Sequence, residues 1–366
     1  MGGMRIGLIS TAAISVPGSM RAYADVLLQA LARHVPEIEV QVLELEPYPP
    51  TGGWRQRATT LALPWRARRS RGLNPDLWHV LDGSRAYVAA GLHAAPVVIT
   101  AHDIIPVLQQ QGRFPGAPPV GRAARWLWHR NGAELRKAQA LICVSESTRR
   151  DVDATVGPIR AAQVVPLPVR SQLAALASRA AISRRDDGVI LHVGNNSFYK
   201  NRQQVLRIFA ALDKTLARRL VMAGAPPSEE LRALSVELGI EGVVEWVVDA
   251  DDVVVADWYA RASALVFPSL YEGFGWPVLE AMTFGLPVVC SNAGSLPEVV
   301  GASAPCFAPN DIAGFVGRIE ALLRDSRLHA SCSEAVRLRA EEFGMQRFAR
   351  ETSAAYRVAV EAGASR

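Results

Sequence analysis

The feature that most limits the fold of this chain is a regular alternation of short apolar runs with amphipathic stretches. The first five apolar runs are RIGLIS, VQVLEL, LWHVL, PVVITAHD and ALICVS. Between the first two lies MRAYADVLLQALARHV, whose apolar residues recur at helical spacing. Strands that are apolar throughout and alternate with helices are typical of a parallel sheet covered on both faces. The pattern therefore predicts an α/β protein with doubly wound sheets.

The alternation lapses once and then restarts. A stretch rich in alanine, serine and arginine at 169–188 precedes the runs VILHVG, RLVMAG, VVEWV, ALVFPS and PVVCS. The chain has 366 residues, which exceeds the roughly 250–300 at which a single core stops growing. We therefore predict two α/β domains, at 1–170 and 188–345, joined by a linker at 171–187. A last helix at 346–366 is expected to pack back on the first domain.

Composition and charge limit the ligands and the cellular location that can be expected for this protein. A formal charge of +5 and a pI near 9.2 fit a phosphate-bearing ligand or an anionic membrane face. The four cysteines are far apart in the sequence, so neither a zinc site nor a disulfide framework is expected, and a reducing cytosol is the simplest setting. MGGMRIGLIS lacks the form of a signal peptide, and no apolar run reaches the roughly 18 residues of a membrane span. We therefore expect a cytoplasmic protein.

The most informative stretch is FPSLYEGFGWPVLEAM, which places Glu272 and Glu280 eight positions apart. ALVFPS ends as a strand, LYEGFG is too rich in glycine for a regular element, and Pro277 suits the first residue of a helix. Gly285 is placed to end that helix. We predict a strand–loop–helix corner with Glu272 in the loop and Glu280 in the first turn of the helix.

This corner has the properties of an anion site. Gly273 and Gly275 allow a ligand to approach the backbone closely, and the loop amides with the helix N-terminus suit a phosphate group. Acidic residues at a helix N-terminus can also serve only to complement the helix dipole. The mixture of glutamates, glycines, aromatics and a proline favours a binding role over that alternative.

The longer segment PSLYEGFGWPVLEAMTFGLPVVCSNAGSLPEVVG resembles the signature of the retaining glycosyltransferases of family 4. The resemblance extends along most of the chain, through segments that fall in the family's order: TAHDIIP, CVSESTRRDV, HVGNNSFYKN, MAGAPPSEEL and DADDVVVADWYARASALVFPS. It implies a GT-B fold, in which two Rossmann-like doubly wound domains face each other across a cleft. The first domain would then bind the acceptor and the second a nucleotide-sugar donor.

The resemblance also implies roles for residues on the donor side. Glu272 would contact the hexose, and Glu280 would accept hydrogen bonds from the ribose hydroxyls. Lys200 would neutralise the diphosphate as it leaves, which is the largest electrostatic task of such a reaction. The remaining donor contacts would come from backbone groups, namely the amides of Gly273, Phe274 and Gly275 around the sugar and diphosphate, and Val247 and Val248 beside the base.

The loop around Lys200 departs from the family pattern. Many relatives carry an arginine just after the strand glycine or directly before the lysine, where this chain has Asn195 and Tyr199. The amide of Asn195 can hydrogen-bond a phosphate but cannot offset its charge, and the forked donors of arginine have no close substitute. Arg202 is near enough in sequence to be a candidate for that role.

On the acceptor side, the resemblance points to residues after the first, fourth and fifth strands. Gly18 matches the glycine turn that approaches the donor phosphates, although an ordinary strand-to-helix turn is the alternative. His102 matches a histidine near the reacting sugar, and Asp103 would orient it or contact the acceptor. Glu146 and Arg149 face the same expected site, yet they can also serve only to cap and charge a helix.

Two segments, WRQRATTLALPWRARRSRG at 54–72 and GRAARWLWHR at 121–130, combine arginine with tryptophan. Arginine attracts anionic head groups and tryptophan prefers the membrane interface. The two segments therefore suggest peripheral contact with an anionic inner membrane. The alternative is solvated charge beside core tryptophans. Nothing like a nucleic-acid module accompanies the charge, so no nucleic-acid partner is expected.

The function that the resemblance implies is transfer of a hexose from a nucleotide diphosphate sugar to an acceptor hydroxyl, with the anomeric configuration retained. GDP-mannose is the first expectation for the donor and a UDP-sugar the alternative. The acceptor would be a saccharide or lipid-linked saccharide in bacterial polysaccharide or O-antigen synthesis. No cofactor or metal is required, because Lys200 and a helix end supply positive charge. The rival hypotheses are a binding protein that has lost catalysis, and an epimerase or phosphorylase of related fold.

Overall fold

The computed structural model describes residues 3–11, 18–45, 62–92, 95–159, 161–179 and 186–364. It contains two compact units, one formed by Met1–Pro168 with Met345–Arg366 and the other by Val169–Gly344. Part of the first arginine- and tryptophan-rich segment and part of the predicted linker lie outside the described residues. Each unit is a parallel sheet covered by helices, so the prediction of a doubly wound α/β fold is confirmed.

The sheet of the first unit has six parallel strands in the order β2-β1-β3-β4-β5-β6. Its strands are β1 (Met4–Ser10), β2 (Ile38–Glu44), β3 (Leu77–Val80), β4 (Val97–Ala101), β5 (Ala140–Cys143) and β6 (Ala162–Val164). The first five match the predicted apolar runs. β6 was not predicted, because an edge strand of sequence AQV is only partly buried and has no apolar run.

Helices cover both faces of this sheet. Before residue 168 they include α1 (Ser19–His34), α2 (Ile105–Gln110), α3 (Arg122–Lys137) and α4 (Glu146–Val156). The strand order reverses between β1 and β3, which are neighbours in the sheet. In such sheets the carboxyl ends of the strands beside the reversal are the usual place for a ligand.

The sheet of the second unit also has six parallel strands, in the order β12-β11-β10-β7-β8-β9. The strands are β7 (Val189–Gly194), β8 (Arg219–Gly224), β9 (Val244–Val248), β10 (Ala264–Phe267), β11 (Val288–Ser291) and β12 (Cys306–Phe307). Its order reverses at β7 and β10, which pair directly although two other strands separate them in the sequence. The loops that follow these two strands carry the predicted donor residues.

The helices of the second unit begin inside the predicted linker. They are α5 (Ser171–Arg179), α6 (Arg202–Ala211), α7 (Glu229–Glu237), α8 (Asp252–Arg261), α9 (Trp276–Thr283), α10 (Leu296–Val300), α11 (Ile312–Arg324) and α12 (Ser326–Glu341). The core of this unit packs α6 and α11 against the sheet through fully buried side chains such as Phe209, Val266 and Phe315. Burial of each such side chain stabilises the fold by about 1.5–3 kcal/mol.

The last helix, α13 (Met345–Ala364), belongs to the first unit. It packs against α1 and against β3, β4 and β5, and buries Phe348 and Tyr356. The hydroxyl of Tyr356 lies 2.8 Å from Nδ1 of His79 in β3. No helix in the described parts of the chain is both long and apolar enough to cross a bilayer.

Candidate functional site

The centre of the candidate site is an ion pair between Lys200 and Glu272. Nζ of Lys200 lies 2.9 Å from Oε1 and 3.0 Å from Oε2 of Glu272. The two residues are brought together because the neighbouring strands β7 and β10 end at the same edge of the sheet. Both side chains are largely buried, with exposed fractions of 12% and 7%. The site therefore holds a lysine and a carboxylate whose charges compensate each other at close range.

The loop that carries Lys200 is tied to the end of β10. Asn201 takes a left-handed conformation at φ 52° and donates from Nδ2 to the carbonyl of Pro268 at 2.9 Å. The amide of Leu270 donates to the carbonyl of Tyr199 at 2.7 Å. The ammonium group of Lys200 also lies 5.2 Å from the centre of the Phe267 ring. These contacts hold the lysine over the carboxyl end of the sheet.

The loop that carries Glu272 is held by Ser295, which was not among the predicted site residues. Oγ of Ser295 lies 3.1 Å from the carbonyl of Glu272 and 2.7 Å from that of Phe274. Gly294 has φ +59°, and a Cβ there would lie 2.3 Å from the carbonyl oxygen of Glu272. Only glycine fits at that position. The motif GSLPEVVG therefore supports the glutamate loop from behind.

The strand–loop–helix corner forms as predicted, with two corrections. Gly275 adopts φ +95° and caps α9, Pro277 is its second residue, and Gly285 follows the helix at φ +62°. Glu280 is the fifth residue of α9, so the prediction that it lies in the first turn is wrong. The left-handed Gly275 is the N-cap, so the helix starts at Trp276, and Pro277 is its second residue rather than its first as predicted.

Glu280 is buried and hydrogen-bonded on both oxygens. Nε of Arg170 lies 2.8 Å from its Oε1, and the hydroxyl of Tyr259 lies 3.0 Å from its Oε2. Arg170 also donates from Nη1 to Asp252 at 2.8 Å. Burial and the neighbouring carboxylate of Glu280 raise the pKa of Tyr259 well above its usual value. No local sequence pattern indicates this network, because Arg170 lies 110 residues before Glu280.

Arg202 is turned into the protein. Its side chain donates from Nη1 to the side chain of Asn196 and, at 2.9 Å, to the carbonyl of Ala225, and its guanidinium lies 5.5 Å from the Trp246 ring centre. Nε and Nη2 have no hydrogen-bond partner among the described residues. Burial lowers the pKa of Arg202 to about 10, so the side chain still carries a positive charge at pH 7.

Asn195 and Val248 lie at the same edge of the second unit's sheet. Asn195 is exposed, and its Oδ1 accepts a hydrogen bond from the amide of Ser197 at 3.0 Å, which shapes the loop. Val248 ends β9 and has 42% of its surface exposed. The residue after it, Asp249, has φ 51° and turns the chain away from the sheet. Val247 and Val248 therefore present backbone at the carboxyl end of β9.

A buried histidine that was not predicted lies under the lysine loop. Nδ1 of His192 donates to the carbonyl of Val266 at 3.0 Å, and burial lowers its pKa to about 3. The proximity of Lys200 and Arg202 acts in the same direction on that pKa. His192 lies in β7, and its neutral ring packs close to Gly194 at the end of that strand. A Cβ on Gly194 would lie 3.1 Å from Nε2 of His192.

In the first unit, His102 follows β4 as predicted. Its Nε2 donates to the carbonyl of Leu81 at 2.9 Å, and its ring meets that of Tyr23 edge-on at 4.6 Å between centres. Burial lowers its pKa, while the nearby charge of Asp82 opposes that shift. Since Nε2 holds the proton, Nδ1 is the acceptor nitrogen of the neutral ring.

The other residues predicted in the first unit include several that make local contacts. Asp103 accepts a hydrogen bond from the amide of Ile105 at 3.0 Å at the start of α2. Gly18 precedes α1 in an extended conformation and is exposed, and a Cβ at this position would meet no described atom within 4 Å. Glu146 and Arg149 pair with each other at 2.8 Å along α4. This ion pair fits the alternative in which the two residues charge a helix.

The two arginine- and tryptophan-rich segments meet in a cavity of about 430 Å³ on the first unit. Trp65 and Trp126 are 63% and 49% exposed, and the guanidinium of Arg130 lies 5.2 Å from the Trp126 ring centre. The cavity is lined by Pro64, Trp65, Arg68, Tyr87, Ala90, Trp126, Leu127 and Arg130. The alternative of tryptophans buried in the core does not hold for Trp65 and Trp126.

Chemically, the second unit offers a cation, a carboxylate and a glycine-rich loop at one sheet edge, which together suit a phosphorylated sugar. Among the residues with described positions, no group of three or more His, Cys, Asp or Glu side chains is arranged to hold a metal ion. The first unit contributes one neutral histidine at the carboxyl end of its own sheet.

Comparison with known proteins assigns each half of the chain to a glycosyltransferase model. Residues 22–173 match "Glycosyltransferase Family 4", and residues 177–339 match "Glycosyl transferases group 1". O-antigen chain mannosyltransferase B of Escherichia coli is 33% identical over 175 residues, which are 47% of this chain and 46% of that protein. The MMP alpha-(1->4)-mannosyltransferase of Mycolicibacterium hassiacum is 32% identical over 235 residues, 62% of this chain and 55% of that protein.

The matched part of the chain thus spans about half the length of these curated relatives. Among solved structures, sucrose-phosphate synthase from Thermosynechococcus elongatus superposes with a TM-score of 0.78 at 20% identity, covering 97% of this chain and 98% of that one. At that level of identity, the similarity identifies the fold. The two family models and the shared fold lead to one conclusion: the chain belongs to glycosyltransferase family 4 and has the GT-B fold.

Proposed function

We propose that this chain transfers a hexose from a nucleotide diphosphate sugar to an acceptor hydroxyl with retention of the anomeric configuration. The observation that carries the proposal is the Lys200–Glu272 pair at the strand reversal of the second unit. A lysine and backbone amides suit a diphosphate, and a buried carboxylate beside them suits sugar hydroxyls. The second unit is accordingly the donor-binding domain and the first the acceptor-binding domain.

In the proposed reaction, the bond between the anomeric carbon and the phosphate oxygen breaks as the acceptor oxygen bonds to the same face of that carbon. The acceptor's proton passes to the leaving phosphate oxygen, so the products are the glycoside and the nucleoside diphosphate. Lys200 and the amides of Gly273, Phe274 and Gly275 stabilise the negative charge that develops on the phosphate. Glu272 and His102 stabilise and position the oxocarbenium-like sugar.

Further contacts position the substrates. Glu280 accepts hydrogen bonds from the ribose, Val248 offers backbone groups to the base, and Asp103 contacts the acceptor. Asn195, Arg202 and Gly18 act at the phosphates, Arg202 through its charge and its hold on the Asn196 loop.

GDP-mannose is the proposed donor, because the two relatives described above, from Escherichia coli and Mycolicibacterium hassiacum, are mannosyltransferases. A UDP-sugar is the alternative. The proposed acceptor is a saccharide or lipid-linked saccharide of bacterial polysaccharide or O-antigen synthesis. The exposed Trp65 and Trp126 beside Arg68 and Arg130 support contact with an anionic inner membrane, where a lipid-linked acceptor would be held.

A second candidate is a nucleotide-sugar-binding protein with weak catalysis. It is favoured by the phosphate-site arginine that is replaced by Asn195 and Tyr199, and by the inward orientation of Arg202. Donor turnover separates the two candidates, because only an enzyme releases the nucleoside diphosphate when acceptor is added.

The experiment is a donor screen followed by product analysis. Thermal shifts with GDP-mannose, UDP-glucose and other nucleotide sugars identify the donor, and release of the nucleoside diphosphate with saccharide and lipid-linked acceptors measures transfer. The anomeric configuration of the product is then read by NMR. We expect a GDP-specific shift and an α-linked product from the α-configured donor. A donor that binds without turnover with any acceptor would favour the binding protein, and an inverted product would refute retention.

A further inference from the structure

Glu280 is surrounded by a network that exceeds what a structural ion pair needs. Its side chain is only 5% exposed, and its carboxylate is bonded on Oε1 by Arg170 and on Oε2 by Tyr259, which come from different parts of the second unit. Arg170 directly precedes α5, and Tyr259 lies on α8. Two donors on two separate elements fix both the position and the rotation of the carboxylate group.

Arg170 is itself held in place. Its Nη1 donates to Asp252 at 2.8 Å, while its Nε donates to Glu280 at 2.8 Å. Although burial acts against the charged form, Glu280 and Asp252 together raise the pKa of Arg170 above its usual value. One planar guanidinium thus spans two carboxylates, which a lysine ammonium on a flexible chain cannot reproduce.

The network leaves Glu280 able to accept further hydrogen bonds. An ionised carboxylate has about four acceptor positions on its two oxygens, and Arg170 and Tyr259 occupy two of them. A vicinal diol, such as the 2′- and 3′-hydroxyls of a ribose, has two donors at a fixed separation. An oriented carboxylate matches such a pair far better than one that is free to rotate, because no rotamer freedom is lost on binding.

We propose that Arg170 and Tyr259 are positioning residues that orient Glu280 and thereby set the preference of the donor site for ribonucleotides over nucleotides that lack the 2′,3′-diol. The inference rests on the proposed ribose-binding role of Glu280. Discrimination between ribose and a sugar without the 2′,3′-diol then depends on the arrangement of Arg170, Tyr259 and Glu280. A glutamate at position 280 alone does not suffice. Arg170 and Tyr259 act through Glu280 and need not touch the ligand.

The test compares the dissociation constants of GDP and 2′,3′-dideoxy-GDP by calorimetry, with UDP and its dideoxy form in their place if UDP binds more tightly. The wild-type protein should favour the ribonucleotide by about tenfold or more, the value of one hydrogen bond to a charged group. Glu280→Gln should reduce that ratio strongly. Arg170→Met and Tyr259→Phe should each reduce the ratio to about a third of the wild-type value or less, and Arg170→Lys should not restore it.

Arg261→Met is the matched control, since Arg261 lies on the same helix as Tyr259 and also spans two carboxylates, those of Asp186 and Asp257. It should leave the ratio unchanged. Tyr259→Phe removes a single hydroxyl, so it provides a folded variant if Arg170→Met lowers the melting temperature below the assay temperature. A purely structural role would weaken both ligands equally and leave the ratio intact.

Two outcomes overturn the inference in different ways. If the ratio falls in Glu280→Gln but keeps its wild-type value in folded Arg170→Met and Tyr259→Phe, Glu280 binds the ribose without help and the positioning role is wrong. If the wild-type protein itself binds both nucleotides equally, the proposed role of Glu280 fails and the inference fails with it.

Discussion

Lys200 and Glu272 form an ion pair, with Nζ of the lysine 2.9 and 3.0 Å from the two carboxylate oxygens. The pair links two loops that follow neighbouring strands, β7 and β10. A donor diphosphate at Lys200 would compete with Glu272 for the ammonium protons and leave the carboxylate to accept hydrogen bonds from the sugar. In our proposal, the ion pair therefore links the two loops in the free protein and also holds the lysine and the glutamate in position for the donor.

We expect Lys200→Met and Glu272→Gln to reduce turnover at least about a hundredfold, because each removes a group that stabilises the transition state. Each single change also leaves a largely buried partner without its counter-charge, which costs about 3–5 kcal/mol of stability. The double variant should recover part of that stability, since no unpaired charge remains, yet it should stay inactive. Chemical denaturation and initial rates measure the two effects separately.

The matched control for the Lys200 and Glu272 variants is the ion pair of Arg219 and Glu245 on adjacent strands of the same sheet. Nη1 of Arg219 lies 3.3 Å from Oε2 of Glu245. These side chains are 53% and 42% exposed, so Arg219→Met and Glu245→Gln should each change stability by less than about 1 kcal/mol. A double variant of Lys200 and Glu272 with wild-type turnover would exclude the pair from the reaction.

Arg202→Met tests whether the inward arginine serves binding rather than stability. Burying an arginine with two unpartnered N–H groups is costly, so an apolar side chain of similar length should leave the melting temperature unchanged or raise it. The affinity for nucleoside diphosphate should fall about five- to tenfold, because a positive charge beside the phosphate loop is lost.

The control for Arg202 is Arg207→Met, on the exposed face of the same helix α6. That change should alter neither the melting temperature nor the affinity. If Arg202→Met binds the diphosphate as tightly as the wild-type protein does, the side chain contributes nothing to the phosphate site, and the substitution of the expected arginine by Asn195 and Tyr199 is left without compensation.

Much of this architecture could be predicted from the sequence because it rests on local patterns. Buried strands leave apolar runs, and the glycine-rich corner at Glu272 leaves a motif that a left-handed Gly275 explains. The contacts between distant residues left no such trace. Neither the bond from Arg170 to Glu280 nor the inward turn of Arg202 has a local signal, since each depends on which strands become neighbours.

Stability should depend on pH through buried histidines, among them His79 in the first unit and His192 in the second. Burial lowers the pKa of His79 and of His192 to about 3, whereas an unfolded histidine has a pKa of about 6.5. Below pH 6.5, the unfolded chain binds protons that the folded protein does not. The free energy of unfolding should therefore fall as pH drops from 6.5 toward 5, by about 1 kcal/mol per histidine for each pH unit.

Denaturant titrations at pH 7.5, 6.5, 5.8 and 5.0 measure this slope. His192→Leu should flatten the pH dependence of the second unit, whereas His129→Gln, at an exposed position, should leave it as in the wild-type protein. An unchanged slope in His192→Leu would mean that other groups control the acid sensitivity of that unit.

The cavity between the two arginine- and tryptophan-rich segments predicts contact with an anionic membrane. Residues 62–72 and 121–130 carry seven arginines and no acidic residue, and the cavity places Trp65 and Trp126 beside Arg68 and Arg130. Near an anionic bilayer, each arginine contributes about 1 kcal/mol, and the exposed indole rings suit the interface. We expect the protein to sediment with vesicles of phosphatidylglycerol and phosphatidylethanolamine but not with phosphatidylcholine alone.

Arg68→Glu with Arg130→Glu should weaken binding to the anionic vesicles at least about tenfold, because two attractive charges become repulsive. Trp65→Ala with Trp126→Ala should weaken it through the loss of interfacial ring contacts. The control is Arg207→Glu with Arg232→Glu, two exposed positions of the second unit with the same change in net charge. If the control loses binding to the same extent, net charge alone drives the association. In that case the cavity has no specific part in membrane contact.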